Sequence, residues 1–272
     1  MKIIDFDKKF FEFARKWVLA HPGLNEDQIE ESFNEMMQEW VSTPADWLDG
    51  AAPEDYFKRF EDPRELAELM LGYSEKGINL PEPLYARIVE MGEACAPFLM
   101  EILTDTDRNE ALRAEAMGLL RDIGSSLADT YLEELVCGAK EANELSDMAA
   151  DILSGRDAAT AQRLLDRYDA ADAYAQLLIL DICCNFPGDE RIYRHLIHQL
   201  KNDPEQRALW ASCLGKLGDA RAIETLKEML GLFDLRYLDY IELRNAVEVL
   251  GGDAGEERTF YGDPDYEAMR NI

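Results

Sequence analysis

His195 and His198 stand three residues apart, a spacing that sets two imidazoles on one face of a helix, and His21 is the only other histidine in the chain. Two rings so placed can begin a metal site, which needs one or two further ligands. With 56 Asp and Glu in the sequence some carboxylate always falls nearby, and none holds a diagnostic spacing. The five cysteines, Cys95, Cys137, Cys183, Cys184 and Cys213, form an odd set without a CxxC pair. The vicinal Cys183 and Cys184 are a conceivable redox or soft-metal pair, but neighbours on a helix point about 100° apart. No Ser-His-Asp signature, phosphate-binding glycine loop, dinucleotide fingerprint or HExxH motif occurs. We therefore expect no catalytic residue, no metal and no cofactor, and whether the chain is an enzyme stays open, with the non-enzyme reading favoured.

The elements that would carry these residues show a repeat. Gly92, Gly124, Gly155, Gly188, Gly218 and Gly251 follow one another at steps of 32, 31, 33, 30 and 33 residues. Two helices of about 12 residues and two short turns use that length. Cys183 and Cys213, 30 residues apart, take the same place in adjacent units, which marks them as small packing residues.

The clearest unit runs from Arg207 to Leu230. Ala211, Leu214 and Leu217 lie on one stripe, Gly218-Asp219 closes one helix and caps the next, and Ala222, Ile223, Leu226 and Leu230 line the second stripe. The stretch from Cys213 to Leu226, with Leu214-Gly215-Lys216-Leu217-Gly218-Asp219-Ala220-Arg221-Ala222-Ile223, resembles the HEAT-like repeat of the phycobilisome lyase type. Weaker copies pair 111–123 with 124–136, 145–153 with 156–168, and 174–186 with 189–200. A first hairpin is expected over 83–103 and a last outer helix over 235–250. The resemblance implies an all-α fold, an α-α superhelix of about five to six hairpins. It also implies that the recurring Asp189-x-Arg191 and Asp219-x-Arg221 form a ladder between neighbouring units. The HEAT-like di-iron hydroxylases use His-Glu dipeptides, which this chain lacks, and the HEAT-like glycosylases use a basic concave face.

Residues 1–80 break the period. Phe10, Phe11, Phe13, Ala14, Trp17 and Val18 make an aromatic helix face that His21-Pro22-Gly23 stops, and a helix over 26–41 presents Ile29, Phe33, Met36, Met37 and Trp40. Thr43-Pro44-Ala45-Asp46 and Ala52-Pro53-Glu54-Asp55 read as helix starts. The expected organisation is an N-terminal helical cap or separate recognition module over 1–80, HEAT-like repeats over 81–252 and a C-terminal tail over 253–272. A cap would cover the end of the array.

Lys and Arg number 28, so the net charge is −28. The excess is even: −9 over 1–80, −7 over 81–140, −6 over 141–200 and −6 over 201–272. Such a surface repels phosphate backbones and anionic membranes, which argues against nucleic acid and membrane partners. Met1 to Asp7 carries acids where a secretory leader needs a basic start, so a cytoplasmic location is expected. A repeat offset of 30 carries His195 and His198 onto Thr225 and Glu228, polar positions that belong on an open face. The expected role is a scaffold or adaptor that binds a protein partner, a basic one being favoured, on the concave face of the second helices. Arg163, Arg167, Tyr193, Arg194, His195, His198 and Glu224 are the expected contact residues. The alternative is a lyase-like enzyme or cofactor-assembly factor built on the same repeats.

Overall fold

The computed structural model describes residues 2–270, which form sixteen α-helices and no strand. Two compact units divide the chain, Met1–Ala128 and Asp129–Ile272. Residues 81–128, read from the sequence as the first repeats, thus belong with the N-terminal helices.

In the first unit α1 (Phe6–Ala20) starts where the Asp5 carboxylate accepts the Lys8 N–H, and it ends at His21, whose ring stacks on Trp17. The helix expected over 26–41 is split into α2 (Glu26–Glu31) and α3 (Phe33–Ser42). The break is at Ser32, at φ −83° and ψ 0°, where the Ser32 N–H still binds the Gln28 carbonyl and the Met36 N–H the Ser32 carbonyl, both at 3.0 Å. The two proline-led starts open 3-10 turns only, Asp46–Leu48 and Pro53–Arg59, neither with a side-chain cap. Helices α4 (Pro63–Glu75), α5 (Glu82–Met91), α6 (Ala96–Thr104) and α7 (Glu110–Ile123) complete the unit. Its core begins at Phe6, whose ring lies 5.4–6.2 Å from those of Trp40, Trp47, Tyr56 and Phe57. The buried Tyr73 hydroxyl donates to the Ile4 carbonyl at 2.9 Å and ties α4 to the chain before α1. Gathering that many rings stabilises the unit beyond their buried area, by about 0.5–1.5 kcal/mol per favourable pair.

The second unit holds α8 (Asp129–Cys137), α9 (Glu144–Ser154), α10 (Ala158–Leu165), α11 (Ala173–Cys183), α12 (Glu190–Asn202), α13 (Arg207–Leu217), α14 (Ala222–Leu230), α15 (Tyr237–Val249) and α16 (Pro264–Arg270). Helix α13 starts and stops at the residues expected, α9 to α12, α14 and α15 agree within three residues at each end, α8 begins five residues later than expected, and α16 falls in the segment read as a tail. Successive helices pack from α8 to α13 and again from α14 to α16, and alternate helices also meet: α9 on α11, α13 on α15, α12 on α14. The core here is mostly aliphatic, with Ala149, Ile179, Ile182, Cys183, Ala211, Cys213, Leu214 and Leu243 fully buried and Trp210 buried with them. Gly218 closes α13 at φ 74° with its N–H on the Leu214 and Gly215 carbonyls, the left-handed cap that only glycine adopts freely. Gly155 stands at the same place in the period with φ −91°, so there the glycine is not required.

The C-terminal residues are folded onto the unit. Phe260 is buried against the rings of Tyr237 and Tyr240 at 5.5 and 4.8 Å, and Tyr266 packs edge-on to Tyr237 at 5.0 Å. Arg258 donates to the carbonyls of Leu232 and Phe233 at 2.7 Å, and its own N–H binds the Tyr240 hydroxyl. No helix among the described residues is long and apolar enough to cross a membrane.

Candidate functional site

The expected contact residues lie on α10, α12, α14 and the turns around them, all in the second unit. Asp189 caps α12 by accepting the Arg191 N–H at 2.8 Å, and its carboxylate also receives the Arg191 guanidinium. Arg191 reaches on to Asp166, at the end of α10, at 2.8 Å. One turn unit later Asp219 accepts the Arg221 N–H at 3.0 Å, while Arg221 reaches back to Glu190 with contacts of 2.8 and 3.2 Å. The ladder implied by the repeat resemblance differs in its partners: each recurring Asp binds the arginine of its own turn, and the link between units runs from that arginine to another acid, Asp166 or Glu190. Arginine hydrogen bonds hold the carboxyls of Asp166, Asp189, Glu190 and Asp219 below the usual carboxylate range.

Two of the expected contact residues belong to the same system. Arg163 binds Glu133 of α8 at 2.6 and 3.0 Å, and Arg167 makes two bonds to Glu134 at 2.9 and 3.1 Å. Their charges are therefore compensated within the fold. Tyr193 is half-buried under the Arg221 guanidinium, 4.3 Å from its centroid. His195 lies 4.1 Å from the Tyr168 ring, and burial pushes its imidazole below the ordinary histidine value, which favours the neutral ring at pH 7. His198 is exposed, with Nδ1 3.2 Å from the Asn202 amide. The two imidazoles thus turn to different neighbours. Arg194 and Glu224 are exposed and make no ion pair among the described residues.

Among the described residues the one grouping of potential metal donors is Asp181, Cys184 and Cys213, with ligand atoms within 4.8 Å of one another. Cys183 and Cys184 diverge as helix geometry demands: the Cys183 thiol turns to the Ala161 carbonyl and the Cys184 thiol to that of Asp181. Both Cys184 and Cys213 are fully buried. The Cys213 thiol donates to Asp181 Oδ1 at 3.6 Å, and the neighbouring Cys184 together with burial pushes it far up, which keeps it protonated. Lys216 Nζ, 3.0 Å from Asp181 Oδ1, already neutralises the carboxylate. The cluster is a packed thiol pair beside a satisfied ion pair. The 30-residue offset groups Cys213 with Cys183 by position in the repeat, whereas contact pairs it with the neighbour, Cys184.

The aromatic N-terminal helices enclose a feature that sequence reading takes as a cap. In the first unit Phe6, Phe10, Trp40, Val41, Pro81 and Pro83 wall a groove of about 440 Å³, and Asp7, Gln38, Glu54 and Glu82 stand on its rim. No lysine or arginine lines it. The signal was available as Phe6, Phe10 and Trp40 on facing helices, but only folding brings Pro81-Glu82-Pro83 against them.

Compared with protein-family models, with curated proteins and with solved structures, the chain gives no significant match to any of the three. The resemblance to HEAT-like repeats is therefore one of sequence pattern alone, in the residues from Cys213 to Leu226.

Proposed function

We propose that this chain is a scaffold that holds a protein partner on an α-solenoid, with the second helices of the repeats, α8, α10, α12 and α14, as the contact face. The observation that carries this reading is the cross-tied row of polar side chains on those helices. Glu133 to Arg163, Glu134 to Arg167, Asp166 to Arg191 and Glu190 to Arg221 join successive second helices at 2.6–2.9 Å. Exposed pairs of this kind add little stability each, about 0–1 kcal/mol, but several in a network hold side chains in place. A face fixed in that way loses less conformational freedom on binding than a mobile one, which favours an extended partner. Arg194, His198 and Glu224 are left exposed on it for direct contact. The overall charge of −28 favours a basic partner and speeds its approach.

The lyase-like alternative needs a reacting group, and the histidines it would use face Tyr168 and Asn202. Cross-linking of the chain to a partner purified with it, read by mass spectrometry, tests the proposal. Links should fall on α10, α12 and α14, and Arg194→Glu with Glu224→Lys should weaken the complex at least tenfold. Links confined to α9, α11, α13 and α15, with no effect of the double variant, would refute it.

A further inference from the structure

We propose that the groove of the first unit takes a short segment of a partner protein in which bulky apolar side chains are flanked by lysine or arginine. The inference deepens the scaffold reading and rests on it, adding a second contact region and the chemistry of what fills it. The floor is apolar: Phe6, Phe10 and Trp40 are packed with their rings 5.3–6.2 Å apart, and Pro81 and Pro83 face them across the cavity. At about 440 Å³ the space is in the range of natural ligand pockets. It suits two or three large side chains rather than a whole folded surface.

The apolar surface does not end at the groove. Phe10 meets Phe33 edge-on at 5.7 Å and Phe11 at 6.2 Å, and Phe11 is 70% exposed and Phe33 47%. Large rings left open beside an apolar groove mark a contact surface more often than a chance exposure. Charge then selects the occupant. Glu54 and Glu82 are exposed on the rim and make no ion pair among the described residues, and Asp7 receives only the Asn79 amide, at 2.9 Å. Three carboxylates around a dry floor favour cationic groups at the mouth and disfavour fatty acids, anionic lipids and acidic peptides. A second copy of this chain, itself at −28, is disfavoured on the same ground.

The test uses the full chain and a defined probe: a dye-labelled 14-residue amphipathic peptide of leucine and lysine, with its leucine–glutamate counterpart as control. Binding is followed by fluorescence anisotropy. The leucine–lysine peptide should bind. Ala86→Trp, at an exposed position in the lining, should narrow the groove and weaken that peptide at least tenfold. Glu54→Lys with Glu82→Lys, on exposed rim positions, should do the same without touching the floor. Circular dichroism and Tm confirm that each variant is folded, and the charge-reversal pair decides the matter if Ala86→Trp is not.

Equal binding of the leucine–glutamate peptide, or an affinity unmoved within twofold by the groove variants, would overturn the inference. If the peptide responds instead to Arg194→Glu with Glu224→Lys, the groove inference fails and the second-helix reading stands. If groove variants abolish binding while the α12 and α14 variants leave the native complex intact, the reverse holds. Concentration-dependent dimerisation lost in Ala86→Trp would name a second copy as occupant and also overturn it.

Discussion

The two units differ in how far along the chain their ion pairs reach. In the first, ion pairs close over short stretches of chain: Lys9 with Glu12, Lys58 with Asp55, Arg87 with Glu90, Arg108 with Asp105, and Arg59 with Asp49 ten residues away. In the second, Arg191 to Asp166, Arg163 to Glu133, Arg221 to Glu190, Arg167 to Glu134 and Lys216 to Asp181 span 25, 30, 31, 33 and 35 residues. Three of these separations, 30, 31 and 33, match the repeat period, and they stand beside short-range pairs such as Arg236 with Asp239 and Arg244 with Glu248. The cores differ in composition, an aromatic cluster around Phe6 and Phe57 against mostly Ala, Leu, Ile and Cys with Trp210. The first unit is specified by side-chain shape, the second by register along a periodic backbone.

The contrast can be broken most sharply in the cores. Phe57→Ala and Leu214→Ala each cut a side chain that is at most 1% exposed. Losses of about 3–5 and 2–5 kcal/mol are expected from transfer and cavity terms. Thermal or urea unfolding measures both, and a Tm unchanged within error for either would show that its core is misassigned.

Asp239 comes next. It is 2% exposed, accepts the Ala208 N–H at 3.2 Å and the Arg236 Nε at 2.7 Å, and so pins the start of α15 to that of α13. Asp239→Ala leaves those donors without an acceptor and should cost about 1–3 kcal/mol. A neutral result in urea unfolding would mean that the anchor is replaceable.

A smaller effect separates two glycines of the same period. Gly218→Ala forces an alanine to φ 74° and should cost about 1–2 kcal/mol. Gly155→Ala, at φ −91° with 3.6 Å to the nearest carbonyl oxygen, should be neutral or stabilising by up to about 1 kcal/mol. Equal effects of the two would deny that conformation is what requires Gly218.

The smallest effect is in the ladder. Asp166, Asp189, Glu190 and Asp219 have their pKa lowered by arginine bonds in the folded state. Their contribution is present above the ordinary carboxylate value, about 4, and is lost as pH falls through the depressed folded values. The Tm difference between the natural chain and Arg191→Gln with Arg221→Gln should therefore shrink below about pH 4, and also in high salt. A difference that grows in acid would reverse the assignment of these pairs.

The helical class, the ends of α13 and the Asp-x-Arg pairs were legible in the sequence because each rests on local chemistry repeated at fixed offset. The partners of Arg163 and Arg167 were not, since Glu133 and Glu134 lie on another helix and the sequence is rich in acids everywhere. The groove was hidden for a related reason: Phe6 and Trp40 announce burial, but only tertiary packing leaves space between them and Pro81 and Pro83. The split at Ser32 escaped because it is a turn of one residue's ψ to 0° that leaves the flanking helical bonds in place, and no residue type announces it. Residues 253–270, read as a tail, are held by Phe260 and Arg258 because α15 exposes Tyr237 and Tyr240 to be covered.

That covering has a consequence for assembly. Stacked helical units end in a face shaped to receive one more unit, and head-to-tail contact of that kind generates an open filament when the rotation does not close. Phe260 and Tyr266, laid over the rings of α15, occupy that face with the chain's own residues. Apolar rings that α15 would otherwise offer to another chain are thereby kept for the protein's own residues.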